Sequence, residues 1–513
     1  MSKSIKYLAL VILSLAALPL SAWIYAQRES ETQSIGRPAK IRPDYCDVVI
    51  PPNIAPLNFF IEESGVKYEV SISSTTGDPI EIHSRKPSIE IPLRRWKKLL
   101  AANRGEKLQV DIRVKDEQGY WTQFDTIENT IAEEAIDSYL AYRQISLCLI
   151  WRDMGLYQRN LENYDESVVL HNRSFGYGCI NCHTFLNNDP NHMVLQTRSS
   201  EYGTPMLLAE NGKVSPKHPK SAQTSGKVNF AAWHPSGKLI AITDNKYTMM
   251  LHTTAPEVRD VFDQACDLDL YRLDTEEVIS NSQISRPDRM ENFPEWSRDG
   301  RYLYFCSAPQ LPPERYREVR CDLMRIGYDL ESGAWGELET VLTADDAGGS
   351  INQPRFSPDG RFLLFNVVEY SDFPVDKVNC DLHMLDIETG AHRRLSISSE
   401  RNDSWHSWSS NSRWIAFSSR RIDGRFSRPF FSYVDAIGEA HKPFVLPQKD
   451  PEYYDTLLWV LQVPELIKSP IPVKEKQFTS AIVSYKKQFF GADSPWKSGS
   501  SEPASRSGVQ YQQ

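Results

Sequence analysis

Four segments in the second half of the chain repeat one pattern, and that repeat limits what the chain can fold into more than any other feature. Asn229 to Ile240, Asn292 to Leu303, Asn352 to Leu363 and Ser404 to Ile415 align residue by residue. Their anchoring aromatics Trp233, Trp296, Phe356 and Trp408 recur at intervals of 63, 60 and 52 residues. Ser236-Gly237, Asp299-Gly300 and Asp359-Gly360 follow three of the aromatics, and each is succeeded by an apolar run. A second element, Cys266-Asp267-Leu268, Cys321-Asp322-Leu323 and Cys380-Asp381-Leu382, recurs between the aromatics and leads to Asp274, Asp329 and Asp386. The turn residues supply the positive backbone angle of a short hairpin, and the aromatic plugs the space between adjacent sheets. Each unit therefore reads as strand, tight turn, strand, loop, strand: a β-propeller blade.

The aromatic-Ser-Pro-Asp-Gly-Arg run at Phe356 to Arg361, with its following apolar strand, resembles the TolB-like, WD-type propeller repeats of bacterial periplasmic proteins. The resemblance covers about residues 193 to 450, is clearest from Phe356 to Phe365, and departs at Asn411-Ser412, where a looser turn is expected. Residues 193 to 226, with Met193-Val194-Leu195 and Met206-Leu207-Leu208, fit a degenerate blade, and residues 451 to 470 fit a closing strand. TolB-like propellers commonly have six blades, so five or six are expected over residues 193–470.

Ahead of the repeats, Cys179-Ile180-Asn181-Cys182-His183 matches C-x-x-C-H, the covalent attachment signature of a c-type haem. Two thiols at that spacing can add to the two vinyl groups of one porphyrin edge, which sets His183 under the iron as proximal ligand. With 8 Cys and 11 His in 513 residues, roughly 0.003 such matches are expected by chance. Half a zinc site and a thioredoxin-like thiol pair are the alternatives; the first lacks a second pair of ligands and the second lacks a βαβ setting. The motif predicts one covalently bound haem c. For the sixth iron position Met193 is the first candidate and His192 the second, with His171 or an open position behind them. Arg173 and Arg198 could pair with propionates.

The N-terminus agrees with export. Lys3 and Lys6 precede an apolar run from Tyr7 to Ala26, so residues 1–26 read as a signal peptide or an uncleaved membrane anchor. Residues 27–44 read as a linker. Residues 45–128 alternate as short β segments, notably Leu108, Val110, Ile112 and Val114, and predict a small β-sandwich. Residues 129–192, which lack that alternation, read as a helical segment carrying the haem motif. Residues 471–513 read as a C-terminal tail, polar and disordered from about 486. Cys306 and Cys321 could face each other across a hairpin, but Cys266, Cys321 and Cys380, at equivalent blade positions, read as buried small hydrophobes before any disulfide.

The expected protein is thus mainly β, with a sandwich, a haem segment and a propeller. Its 58 basic and 67 acidic residues leave a formal charge of −9, which supplies no basic field for nucleic acid. The basic run Arg94 to Lys98 reads as a solvated helix face. His234 lies in a blade turn with a structural role, and no nucleophile-base constellation is recognisable, so an enzyme is not indicated. The leading reading is a periplasmic, membrane-anchored haem protein for electron transfer or redox sensing, with a redox or scaffold protein as partner. The alternative is a TolB-like interaction or ligand-binding module in which haem is structural or regulatory.

Overall fold

A computed structural model describes residues 32–147, 153–221, 224–252, 259–490 and 509–512. The apolar run 1–26 lies outside the described residues; among those described, no helix is long and apolar enough to cross a membrane. The chain divides into two compact units, residues 1–133 with 447–456, and residues 134–446 with 457–513.

In the first unit Leu108, Val110, Ile112 and Val114 all bury their side chains from one face of Lys107–Lys115, as period-two alternation requires. That strand pairs antiparallel with Lys67–Ser73, Trp121–Asp125 and Ile127–Ile131 in a seven-stranded sheet. A three-stranded sheet of Ile41–Arg42, Phe59–Ile61 and Ser88–Ile89, a helix α1 (Leu93–Ala102) and the short helix Tyr453–Thr456 accompany it. On α1, Trp96 turns inward and donates its indole N–H to the Ile54 carbonyl at 3.0 Å, while Arg95 and Lys98 face solvent. The segment read as a linker is partly strand, because Thr32–Pro38 pairs parallel with Trp121–Asp125.

The second unit contains six antiparallel sheets, each led by a strand facing a common axis. These inner strands are β1 (Cys179–Leu186), β2 (Ala231–Trp233), β3 (Arg289–Trp296), β4 (Ser350–Phe356), β5 (Asp403–Trp408) and β6 (Trp459–Ile467). Each packs against the next, and β6 packs against β1, so the ring is closed. The closure joins distant parts of the chain: β6 pairs with Tyr139–Ser146, which continues through Met154–Asn160 to Glu166–His171.

The described residues of 129–192 are therefore mainly strands, with one 3-10 turn at Asn172–Phe175, and not the helical segment their pattern suggests. Tyr139–Ser146 is buried on both faces between sheets, so it reads as a nearly continuous apolar run without alternation, which periodicity cannot tell from a buried helix. The tail is also more ordered than its composition suggests. Glu475–Phe490 forms a helix, α2, that buries Phe478, Ala481, Ile482 and Tyr485 at helical spacing.

The repeat turns share one hydrogen-bond pattern. Ser297, Ser357 and Ser409 hydroxyls each donate to the side chain two residues on and accept the N–H of the residue five on, at distances up to 3.2 Å. Gly237, Gly300 and Gly360 take φ of 72°, 72° and 76°, and Ser412 takes 62° in the same place. The Asn411-Ser412 turn is thus as tight as the others. Asp137 accepts from Ser410 N–H and hydroxyl at 2.8 and 2.7 Å, and the Ala135 carbonyl accepts from Asn411, which holds the turn from outside. His234 does the work of the repeat serine: Nδ1 lies 2.7 Å from the Ser236 hydroxyl and Nε2 lies 3.0 Å from the Gly300 carbonyl.

Candidate functional site

The inner strands share an irregularity that shapes the axis. Their pairing slips by one residue between Ile180 and His183, Asn292 and Glu295, Asn352 and Arg355, Ser404 and Ser407, and Gln462 and Glu465. Such a bulge re-aims the side chains it carries. Phe293, Gln353, Trp405 and Val463, second in their bulges, take φ of 50°, 53°, 51° and 53°. A β-branched or bulky residue in the left-handed region is strained by about 1–3 kcal/mol and persists only where the surroundings enforce it. Four such residues on four inner strands turn toward one place.

That place is an axial well lined by Cys182, His183, Gln196, Phe230, Phe293, Gln353, Arg355, Trp405, His406 and Val463, with about 40 Å³ open to the centre of a water molecule. Aromatic rings floor it: Phe230 and Phe293 lie 4.4 Å apart between centroids, and Trp405 lies 6.0 Å from Phe230. Thr184 and Arg355 also line a second cavity of about 50 Å³, which reaches Asn188, Arg298 and Trp408. Arg355 on β4 donates to Glu465 on β6 at 2.7 Å and stands 4.0 Å from Glu295 on β3. Burial raises the Glu465 carboxyl to about 7, against the pull of Arg355.

Several other polar atoms of the well are unsatisfied, although Gln353 Oε1 accepts the Trp405 backbone N–H at 3.0 Å. Both ring nitrogens of His183 are buried without a hydrogen-bond partner, as are both amide atoms of Gln196, Nε2 of Gln353, Nε1 of Trp405 and Nδ1 of His406. The Ala141 and Val463 carbonyls face the His183 ring without reaching hydrogen-bond geometry. Burial first, and then the charges of Arg143 and Arg355, hold His183 near a pKa of 3, and burial does the same for His406. Both imidazoles are neutral. His406 Nε2 lies 3.0 Å from the Leu364 carbonyl and must carry the proton, which leaves Nδ1 as a bare acceptor. Burial pushes the Cys182 thiol up to about 11, so it stays protonated and unreactive.

The haem motif occupies β1, and the folded strand does not suit a porphyrin. Cys182 belongs to the apolar cluster around the axis with Phe230, Phe293 and Trp405, whereas Cys179 packs on the cluster between sheets that holds Met154, Phe175 and Ile180. The two thiols thus face different cores, and His183 is 1 % exposed. The well is also far smaller than the several hundred Å³ of a cofactor pocket. Met193 lies wholly buried in the inter-sheet cluster with Phe185, Leu195 and Leu207. His192 sits partly exposed with Nδ1 3.2 Å from Asp189. His171 and Arg173 both engage Asp153, at 3.0 and 2.6 Å, and Arg198 donates to the Tyr247 hydroxyl at 3.0 Å. Among the described residues no group of three or more His, Cys, Asp and Glu side chains is arranged to hold a metal ion. Cys266, Cys306, Cys321 and Cys380 are buried with free thiols.

Of the residues singled out in the sequence, the structure brings Cys182 and His183 into the well and leaves Cys179, His192 and Met193 outside it. It adds Gln196, Gln353, Arg355, Trp405, His406 and Glu465. Their signal lay in the repeat: Cys182-His183 aligns in the bulge with Pro294-Glu295, Pro354-Arg355, His406-Ser407 and Pro464-Glu465.

No family model matches the chain, and no curated protein does. Among solved structures, TolB from Acinetobacter baumannii superposes with a TM-score of 0.41 at 14% identity, over 70% of this chain and 79% of that one. A TolB from Agrobacterium tumefaciens gives 0.36 at 14% identity, over 62% and 96%. A chain of the nidogen/laminin complex gives 0.37 at 10% identity, over 65% and 99%. Packing of each inner strand against the next closes the ring of sheets. The second unit is a β-propeller.

Proposed function

We propose that the chain is an exported binding module, a six-bladed propeller whose working site is the axial well. The observation that carries this reading is the set of buried, unpartnered polar atoms on His183, Gln196, Gln353, Trp405 and His406, residues of β1, Asp189–Arg198, β4 and β5 that line one small cavity. An unpaired polar group buried in a protein costs about 1–3 kcal/mol, and backbone strain at four inner strands adds to that. A bound ligand would offset both costs. Export rests on Lys3, Lys6 and the apolar run to Ala26, and attachment to a membrane rests on the length of that run. Electron transfer through a c-type haem rests on the five-residue motif alone, and the inner-strand placement of Cys179, Cys182 and His183 does not support it.

Native mass spectrometry of the full chain, exported by a bacterial host, tests the reading. A small-mass adduct is expected on the folded protein and should disappear in His183→Phe, which fills the well and removes two unpartnered nitrogens. A folded wild-type chain with no adduct, under conditions that preserve bound small molecules, would refute it.

A further inference from the structure

The chemistry of the well narrows what it can hold. Its unpartnered groups are four donors, on His183, Gln196, Gln353 and Trp405, and three acceptors, on His183, Gln196 and His406. All of these groups are uncharged. The one cation lining the well, Arg355, is taken up by Glu465 at 2.7 Å and by Glu295 at 4.0 Å, while Arg143, whose charge also bears on His183, donates to the Gln462 side chain at 2.9 Å and lines no part of the cavity, so an entering anion finds no free counter-charge in the lining. An entering cation would meet Arg355 itself. A buried charge without a partner is strongly disfavoured. About 40 Å³ open to water centres is room for about three waters, or an organic group of about four to six non-hydrogen atoms.

We infer that the axial well takes a small uncharged group that carries hydroxyl or amide donors and acceptors together. The inference rests on the binding reading above and gives it a ligand class. The aromatic floor of Phe230, Phe293 and Trp405 excludes water from the ligand's apolar side, while the imidazoles, kept neutral by burial, supply hydrogen bonds without charge. The group can arrive as a free small amide or polyol, or as the side-chain amide of a partner polypeptide; the recognising chemistry is the same.

The test measures the Tm of the full chain against acetamide, acetate and ethylammonium, three probes of similar size and different charge. Acetamide is expected to raise Tm with concentration, by about 3–5 °C at a hundredfold excess over Kd, and the charged probes are not. The rise should be lost in His406→Phe and, should that variant fold poorly, in the near-isosteric Gln353→Leu. A short peptide presenting Gln that acts at lower concentration than acetamide, where its Glu counterpart does not, assigns the source to a polypeptide; acetamide acting alone assigns it to a free molecule. Equal or larger shifts with acetate or ethylammonium overturn the ligand class. So does a chain that keeps its native adduct yet responds to none of the probes. Absence of the adduct itself overturns the binding reading instead, so the two failures are told apart.

Discussion

Arg355 on β4 donates to Glu465 on β6 at 2.7 Å and so reaches past β5, tying two blades that share no sheet edge. With Glu295 4.0 Å away, it is the single cation between two buried carboxyls. Removing one partner of a buried ion pair costs about 3–5 kcal/mol because the other charge stays buried. Arg355→Met is expected to lose about that much at pH 8. At pH 5 the loss should be smaller, since Glu465, already raised to about 7 by burial, is then protonated and needs no counter-charge. Urea unfolding at the two pH values checks this, and a larger loss at pH 5 would show that the pair does not act through charge.

Acid should destabilise the fold through the well. His183 and His406 have folded pKa values near 3 against 6.5 for the free side chain, so the unfolded chain binds protons first. Stability from each neutral imidazole is complete above pH 6.5 and is lost progressively as pH falls toward 3. Glu465 works the other way, because a carboxyl raised from 4.5 to about 7 loses stability as pH rises through that interval. Between pH 4.5 and 6.5 the two histidines outweigh Glu465, so the share of stability that comes from these three groups rises with pH, while carboxyls elsewhere that burial raises, Glu291 to about 7 and Asp269 to about 6, pull the other way. Replacing His183 with Phe should remove about one proton from the slope, at most about 1.4 kcal/mol per pH unit. An unchanged slope in the variant would mean that His183 is not buried in its neutral form.

The covalent cofactor suggested by Cys179 to His183 is expected to be absent. Denaturing mass spectrometry of the full chain, matured in a host that attaches c-type haem, should give the bare polypeptide mass. Met193→Ala should then act only as a core deletion, costing about 2–5 kcal/mol, because Met193 fills the space beside Phe185, Leu195 and Leu207. A haem mass that vanishes in Cys179→Ala with Cys182→Ala would refute this expectation and return electron transfer to first place.

Much of the propeller is legible in the sequence because its hairpins are local. Ser297 to Tyr302 and Ser357 to Phe362 each contain the whole hydrogen-bonded turn, so five or six adjacent residues reveal it. The closing sheet is hidden for the opposite reason: Tyr139–Ser146 meets β6 across more than 300 residues, and burial on both faces erases its alternation. The motif at Cys179 leaves the site open because C-x-x-C-H specifies spacing and not conformation. Its reading as a haem site requires the thiols on one face, and a bulged inner strand sends Cys179 and Cys182 to different cores. The rest of the well, from Gln196 to Val463, is assembled only by the axis.

Ser412 and Gly300 occupy the same turn position, and they should respond to substitution to different extents. Gly300 has φ of 72°, and a Cβ there would lie 2.6 Å from His234 Nε2, the atom that also meets the Gly300 carbonyl at 3.0 Å. Gly300→Ala therefore combines a left-handed backbone penalty of about 1–2 kcal/mol with the loss of a hydrogen bond worth about 1 kcal/mol. A loss of about 2–3 kcal/mol is expected in urea unfolding. Ser412→Gly removes the backbone penalty but also the hydroxyl that accepts the Asp359 N–H at 3.0 Å, so the two effects nearly cancel and the change should stay within about 0.5 kcal/mol. A Gly300→Ala chain as stable as the wild type would show that the repeat turn tolerates a side chain at this position, and would remove the physical reason for Asp-Gly in the repeat.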